Sequence, residues 1–408
     1  MASRLITGLD LGATKICATQ AKVEKDGRIV LLGSTAVPSR ALVKGIVPKL
    51  EPLVDGIRGA VHQLEEKTGQ HSYAAVFNVS GDYLSLQQSQ SSLFLSERGV
   101  EISPKDAARV IESAQQISLP FDRQILHAIP SSYIVDGREG IKDPIGIYGS
   151  QLGVKLLIIE GASNPIQSIA KAVYQAGLAV EDVVYTGLAG GYSFLTEQER
   201  ELGVVLVDVG GDLTDVTLFL EGNLIHAKTL SFGGKDLTEL LAGKLSLPWD
   251  RAEELRKVYG GIPGMVNHPD ELIRIRLQEG VREFTRQEFC QFLQTGIEQW
   301  LHQIREMITQ SGQASKLVCG IRMTGGVALT EGLIEYAERF FGTSVKLGLV
   351  QGEFGHESLP GGLFWGESIG LVRYWAREFS RRRHQQKEQR NLVARASSWA
   401  RTLYQEYF

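Results

Sequence analysis

Two short stretches set an aspartate, glycines and cationic or hydroxyl side chains at the end of an apolar run. They are Asp10-Leu11-Gly12-Ala13-Thr14-Lys15 and Asp208-Val209-Gly210-Gly211-Asp212-Leu213-Thr214-Asp215. Glycine lets the backbone approach an anion closely, and successive N–H groups of such a loop point at it. An aspartate at a strand end suits a hydrated Mg²⁺ reached through water, and Lys15 supplies a point charge for a β-phosphate. On this reading Asp10 and Asp208 share one metal or orient one water. Gly12, Ala13, Thr14, Gly210 and Gly211 wrap the phosphates, with Thr214 as hydroxyl donor. A third stretch, Met323-Thr324-Gly325-Gly326-Val327, follows an expected strand over Leu317–Met323 and precedes a helix, so it would pass beneath a nucleoside. Each alone has an ordinary alternative: Asp-x-Gly is commonly a turn, and Gly-Gly before a helix commonly just permits close packing.

The elements that must hold these loops are legible around them. Arg4–Leu11 and Val204–Val209 are apolar runs rich in β-branched residues and read as buried strands. Hairpin strands follow each: Ile16–Gln20 with Ile29–Ala36, then Asp215–Leu220 with Leu224–Thr229. The same device therefore occurs twice, about two hundred residues apart, which predicts an internal duplication. Helical periodicity covers Leu50–Thr68, Pro165–Ala176, Pro248–Tyr259, Arg286–Ser311 and Thr330–Phe341. Residues Gly81–Glu160 read as an insertion: a strand pair near Ser85–Leu95, a helix over Ser103–Ile117, and strands over Ile125–Val135 and Gln151–Ile159.

With 408 residues, two or more domains are expected. Composition is that of a soluble globular chain, 43% hydrophobic and 22% charged. A formal net charge of −4 argues against nucleic acid as a partner. The 3 cysteines (Cys17, Cys290, Cys319) and 8 histidines form no metal-ligand spacing or disulfide framework, so a reducing compartment is expected. Met1–Asp10 has no signal core, and no apolar run reaches about 18 residues, so the chain is expected to be neither exported nor membrane-spanning.

The end of the sequence is different in kind. A basic polar run over Arg381–Arg390 leads to Asn391–Phe408, where Leu392, Val393, Trp399, Leu403, Tyr404 and Tyr407 fall on one helical arc. Phe408 closes the chain, and Arg395 and Arg401 occupy the other arc. A solvated tether before such a helix predicts an anchor on an anionic membrane surface. The other reading is a terminal helix docked on its own domain.

Taken together, the three loops and the duplicated device point to an actin-like architecture, and the chain resembles the bacterial cell-division protein FtsA family. Beyond the loops, the likeness is carried by Ile125-Leu-His-Ala-Ile-Pro130, Ile141-Lys-Asp-Pro144, Leu195–Gly203, Phe232-Gly-Gly234 and the tail. The resemblance implies an α/β, actin-like (ribonuclease H-like) two-domain fold with a duplicated βββαβα core, an inserted α+β subdomain and a C-terminal amphipathic helix. The implied division is 1–80 with 167–203 as first core subdomain, 81–166 inserted, and 204–247 with 321–380 as second core subdomain. Residues 248–320 make a helix-rich nucleotide-side subdomain, followed by the tether 381–390 and the membrane helix 391–408. ATP and Mg²⁺ are the implied ligands. Gly234, Gly325, Gly326 and Val327 then belong to the nucleotide site, and Glu253 and Arg256 to its ribose and adenine side. The family also implies filaments of the protein itself at the inner membrane, capture of the FtsZ C-terminal peptide, and recruitment of later division proteins. The basic residues Arg274, Arg276, Arg282 and Arg286 are the expected peptide contacts, with a solvated charged face as the alternative for each.

Asp212 and Leu213 depart from the family pattern, which has a third glycine and a threonine there; Val327 replaces a small residue. A carboxylate about 5 Å from the phosphates would cost roughly 3 kcal/mol per phosphate charge at an effective dielectric near 20. ATP binding with slow or absent hydrolysis is therefore expected. The alternatives are a pilus-assembly scaffold and a small-molecule kinase of the same superfamily.

Overall fold

The computed structural model describes residues 3–381 apart from 25–26, 278–279 and 353–362. Two five-stranded sheets repeat one topology. In the first the strands lie in the order Ala179–Tyr185, Ala74–Val79, Arg4–Leu11, Lys15–Val23, Ile29–Pro38. In the second the order is Val345–Leu347, Ile321–Thr324, Val204–Val209, Thr214–Leu220, Asn223–Leu230. Each has parallel neighbours on one side of its leading strand and an antiparallel meander on the other. Even the register repeats, since Asp10 pairs with Cys17 as Asp208 pairs with Asp215. The duplication expected from two loops is thus a repeat of a whole sheet.

The helices form where the apolar spacing demands. Leu50–Thr68 spans the expected residues and buries Leu53, Val54, Ile57, Ala60, Val61 and Leu64 against Leu9, Ile16 and Phe77. It stops at Gly69, whose φ of 65° needs no Cβ penalty. In the insertion, Pro104–Ala114 begins with a capping box: the Asp106 N–H donates to the Ser103 side chain and Ser103 N–H to the Asp106 carboxylate. That helix covers a sheet ordered Leu84–Phe94, Gln151–Ala162, Arg123–Val135, Arg138–Ile141. The pair expected near 85–95 is instead one strand, because its partner is the distant Gln151–Ala162.

Residues 248–320 are less helical than expected. Between the helices Trp249–Tyr259 and Arg286–Gln310 runs a hairpin, Leu272–Leu277 with Gly280–Thr285. Its Ile-Arg-Ile-Arg alternation sends Ile273 and Ile275 into the core and leaves Arg274 and Arg276 exposed. The strand expected over Leu317–Met323 shortens to Ile321–Thr324, and the following helix begins at Leu333 after a 3₁₀ turn, Gly326–Leu329.

A last helix, 363–381, packs Ile369, Val372 and Trp375 in one cluster with Ile6, Val23 and Leu31 of the first sheet and Leu206 and Phe219 of the second. Gly8 makes room for it, since a Cβ there would strike the Ser368 carbonyl. Buried His127 ties three elements at this point. Its Nε2 accepts from the Tyr185 N–H at 3.1 Å, and its Nδ1 meets the Tyr374 hydroxyl at 3.3 Å. Segment 391–408 and residues 382–390 of the tether lie outside the described residues. Among the described residues no helix is long and apolar enough to cross a membrane.

Candidate functional site

The equivalent loops of the two sheets face each other across a cavity of ≈ 630 Å³, a size ordinary for a cofactor pocket. Asp10, Gly12, Ala13, Thr14 and Lys15 line it from one side; Asp208, Gly210, Gly211, Gly234, Glu253, Arg256, Gly325, Gly326 and Val327 line it from the other. Both loops close by the same turn: Gly12 N–H donates to the Lys15 carbonyl at 3.0 Å, and Gly210 N–H to that of Leu213 at 2.9 Å. They approach so closely that a Cβ on Gly211 would lie 2.5 Å from Thr14 Cγ2. Gly325 takes φ 85° and brings its backbone against Asp208, where a Cβ would lie 2.8 Å from Oδ1. These glycines make the close backbone approach that a phosphate cradle requires.

The polar groups are strongly pre-arranged. Asn78 holds the first loop by donating to Asp10 Oδ1 at 2.8 Å and accepting from the Leu11 N–H at 2.7 Å. Lys15 donates to the Phe364 carbonyl at 2.6 Å with its ammonium over the Phe364 ring. On the nucleoside side, Glu253 pairs with Lys257 at 2.9 Å, and Arg256 Nε donates to Thr238 Oγ1 at 2.8 Å. Burial pulls the Arg256 guanidinium below its ordinary value. Asp212, the unexpected residue, lines the cavity but does not stand there as a lone charge. Its carboxylate is buried, pairs with Lys235 Nζ at 2.8 Å and accepts from the Lys44 N–H at 3.0 Å. The negative charge that threatened phosphate binding is already partnered.

Two expectations are corrected. Thr214 is fully buried and points away from the cleft: its hydroxyl donates to the Phe232 carbonyl at 2.8 Å and accepts from Trp300 Nε1 at 3.0 Å. It follows the loop by enough residues that strand alternation turns it into the core. Arg286 is not a surface contact. It pairs with Glu331 at 2.5 Å, donates to the Asn267 and Tyr259 carbonyls, and lines the same cavity. Arg274, Arg276 and Arg282 are exposed on the hairpin, with Arg274 paired to Glu283 and Arg282 over Phe284.

Two cleft residues were missed. Asp215 is buried and accepts from Ser80 at 2.7 Å, Thr229 at 2.5 Å and Tyr185 at 3.1 Å, bridging the two sheets. Its place as the one charged residue in the strand Thr214–Leu220 was the available signal. Glu367 lines the cleft floor from the last helix. There the signal was a lone carboxylate in the apolar run Leu363-Phe-Trp-Gly-Glu-Ser-Ile-Gly-Leu371. Among the described residues, no group of three or more His, Cys, Asp or Glu side chains has the spacing of a preformed metal site. Asp10 and Asp208 on the cavity wall still suit a cation completed by water and phosphate oxygens.

Burial raises four carboxyls of this cleft: Asp10 and Asp215 are pushed up, Asp208 to about 7, and Glu367 well above the carboxylate range. Mutual repulsion adds to the effect on Asp208 and Glu367. A carboxyl whose folded value is raised holds protons that the unfolded chain has released, so stability falls as pH rises from the ordinary value of 3.8 toward about 7. The nucleotide-free protein in EDTA is therefore expected to melt higher at pH 5.5 than at pH 7.5, and Asp208→Asn to shrink that difference. Calorimetry that finds the same difference in wild type and variant would remove Asp208 as its source.

Comparison with known proteins agrees with this geometry. A family model described as "SHS2 domain inserted in FTSA" matches residues 81–160, and one described as "Cell division protein FtsA" matches 205–359. The cell division protein FtsA of Pseudomonas aeruginosa is 31% identical over 91% of this chain and 89% of its own length. That of Escherichia coli K12 is 30% identical over 98% of this chain and 96% of its own. Among solved structures, a PilM–PilN type IV pilus biogenesis complex superposes with TM-score 0.64 at 16% identity, covering 91% of this chain and 98% of that one. MreB5 of Spiroplasma citri bound to ADP gives 0.54 at 12% identity, covering 95% and 98%. These two speak for the actin-like fold, and the identities of 30% or more over nearly the whole length speak for the family: the chain belongs to the FtsA family of cell-division proteins.

Proposed function

We propose that this protein is an ATP-binding, filament-forming division protein that works on the cytoplasmic face of the inner membrane. Residues 391–408 anchor it there, it holds the FtsZ C-terminal peptide, and it recruits later division proteins. The observation that carries the reading is the 30% identity to the Escherichia coli protein across 98% of this chain, which leaves too few unmatched residues to exclude the tail.

The nucleotide part is supported by the cavity between two glycine loops and by the partnering of Asp212. The solved MreB5 structures of the same fold carry ADP or AMPPNP. When bound, ATP with Mg²⁺ would supply the charge that Lys15 and the loop N–H groups of Gly12–Lys15 and Gly210–Gly211 are disposed to meet. For the acidic FtsZ peptide, the exposed hairpin with Arg274, Arg276 and Arg282 is the better candidate surface, without Arg286.

A single tail helix of this size buries a few hundred Å² of apolar surface, about 10 kcal/mol gross at ~25 cal/mol/Å². Ordering a short helix consumes much of it. One tail binds reversibly, whereas a filament that presents many tails in one plane holds firmly through effective concentration. Flotation on anionic liposomes with ATP tests this. Full-length protein is expected to float, while a chain ending at Ser380 and the variant Trp399→Glu stay behind. A Trp399→Glu protein that floats as well as wild type would remove the tail as anchor.

A further inference from the structure

The carboxyls of Asp208 and Glu367 and the Thr324 hydroxyl share the cleft floor. Glu367 is only 9% exposed, and neither of its carboxyl oxygens has a hydrogen-bonding partner. Thr324 is fully buried with Oγ1 likewise unpartnered, and it sits directly across the ladder from Asp208. The carboxyl facing Glu367 is that of Asp208, a contact that becomes a hydrogen bond only if one of them carries a proton. The chain makes room for this arrangement: a Cβ on Gly190 would lie 2.9 Å from Glu367 Oε1. All three groups line the cavity described above.

Two carboxylates turned on one another out of water are costly, because each ion loses hydration and the pair repels. Elsewhere in this cleft every buried carboxylate is answered: Asn78 reaches Asp10, Lys235 reaches Asp212, and three hydroxyls reach Asp215. Lys15, the nearest cation in the loop, spends its ammonium on the Phe364 carbonyl. What the Asp208–Glu367 pair needs is a small positive charge that accepts oxygen ligands only. A hard divalent cation meets that need with one or two carboxylates and fills its shell with water and phosphate oxygens.

We propose that Asp208 and Glu367 hold a divalent cation directly, with Thr324 Oγ1 as a further oxygen, so that the cleft takes Mg²⁺ without waiting for nucleotide. The proposal deepens the nucleotide reading and rests on it only for the phosphate ligands. Glu367 is the distinguishing residue, because it lies on the last helix and outside all three glycine loops.

The test is a titration of Mn²⁺ into nucleotide-free, full-length protein, followed by the EPR signal of the free ion. A saturable site displaced by Mg²⁺ is expected. Glu367→Gln should weaken it by at least about tenfold, since losing even an outer-shell partner costs that much. Absence of the site in folded wild type, or an unchanged site in Glu367→Gln, overturns the proposal and leaves a shared proton as what joins the carboxyls. Should Glu367→Gln not fold, the wild-type titration decides with Thr324→Val: a site that this change weakens upholds the proposal, and one that it leaves unchanged overturns it. The two readings fail separately. A wild type that takes Mn²⁺ but no ATP loses the nucleotide reading alone. One that takes the ion only as its ATP complex loses the direct site alone.

Discussion

Lys235→Met is expected to lower the unfolding free energy by about 3 kcal/mol and to weaken ATP binding by about two orders of magnitude. The first figure is the low end for stripping the partner from a buried carboxylate, because the Lys235 side chain keeps 25% of its surface in water. The second follows from releasing the Asp212 charge into the phosphate side of the cleft. At about 5 Å and an effective dielectric near 20, one phosphate charge feels roughly 3 kcal/mol, and each 1.4 kcal/mol is about tenfold in affinity. The Lys44 N–H at 3.0 Å remains, but one neutral donor does not balance a full charge. Adding Asp212→Asn to Lys235→Met should return most of both losses, as coupling within one pair requires. Chemical denaturation and a nucleotide titration on the three variants measure it. If the double variant binds ATP no better than Lys235→Met, Asp212 is not the source of the defect.

The second large effect belongs to Trp300. It is fully buried, stacks on Phe232 with ring centroids 6.1 Å apart, and donates to Thr214 Oγ1. Trp300→Ala should cost about 3–5 kcal/mol through lost burial and the cavity left behind. Trp300→Phe keeps most of the volume and loses the donor, a cost of about 1 kcal/mol. Because Thr214 spends its hydroxyl on Phe232 and Trp300, Thr214→Val should destabilise the protein while leaving nucleotide affinity nearly unchanged. Urea midpoints that rank Phe below Ala would remove packing as the main contribution of Trp300, and a Thr214→Val protein that folds normally and loses nucleotide would put Thr214 back in the cleft.

The contrast between Thr214 and Asp215 shows what could be read in advance. The loops themselves were visible, because an aspartate and glycines after a β-branched run leave a strong local signature. Their repetition revealed the duplicated strand-and-hairpin device, while the parallel strands Ala74–Val79, Ala179–Tyr185 and Val345–Leu347 that complete the sheets went unread. Which of two adjacent residues faces the cleft depends on register, and a shift of one reverses every side chain. The pairing Val209↔Thr214 and Asp208↔Asp215 decides it, and that pairing is a tertiary fact. Helix Thr186–Phe194 went unseen for a different reason. Its sequence, Thr-Gly-Leu-Ala-Gly-Gly-Tyr-Ser-Phe, is buried nearly all round, so no amphipathic period exists to detect. The hairpin 272–285 did carry a period of two, hidden among helices. Asp212 departed from the family pattern in sequence, and only the distant Lys44 and neighbouring Lys235 explain how the fold accommodates it.

The last helix has a mechanical meaning. Its residues Ile369, Val372 and Trp375 are embedded against the first sheet, and its Tyr374 meets His127 of the insertion. Whatever tension is applied to the chain beyond residue 381 enters the molecule here. The load is shared among Trp375, Tyr374 and the strand that carries His127, and through the Tyr185 N–H it reaches the strand end whose hydroxyl grips Asp215. A pull on the chain beyond residue 381 would thereby be felt at the joint between the two sheets.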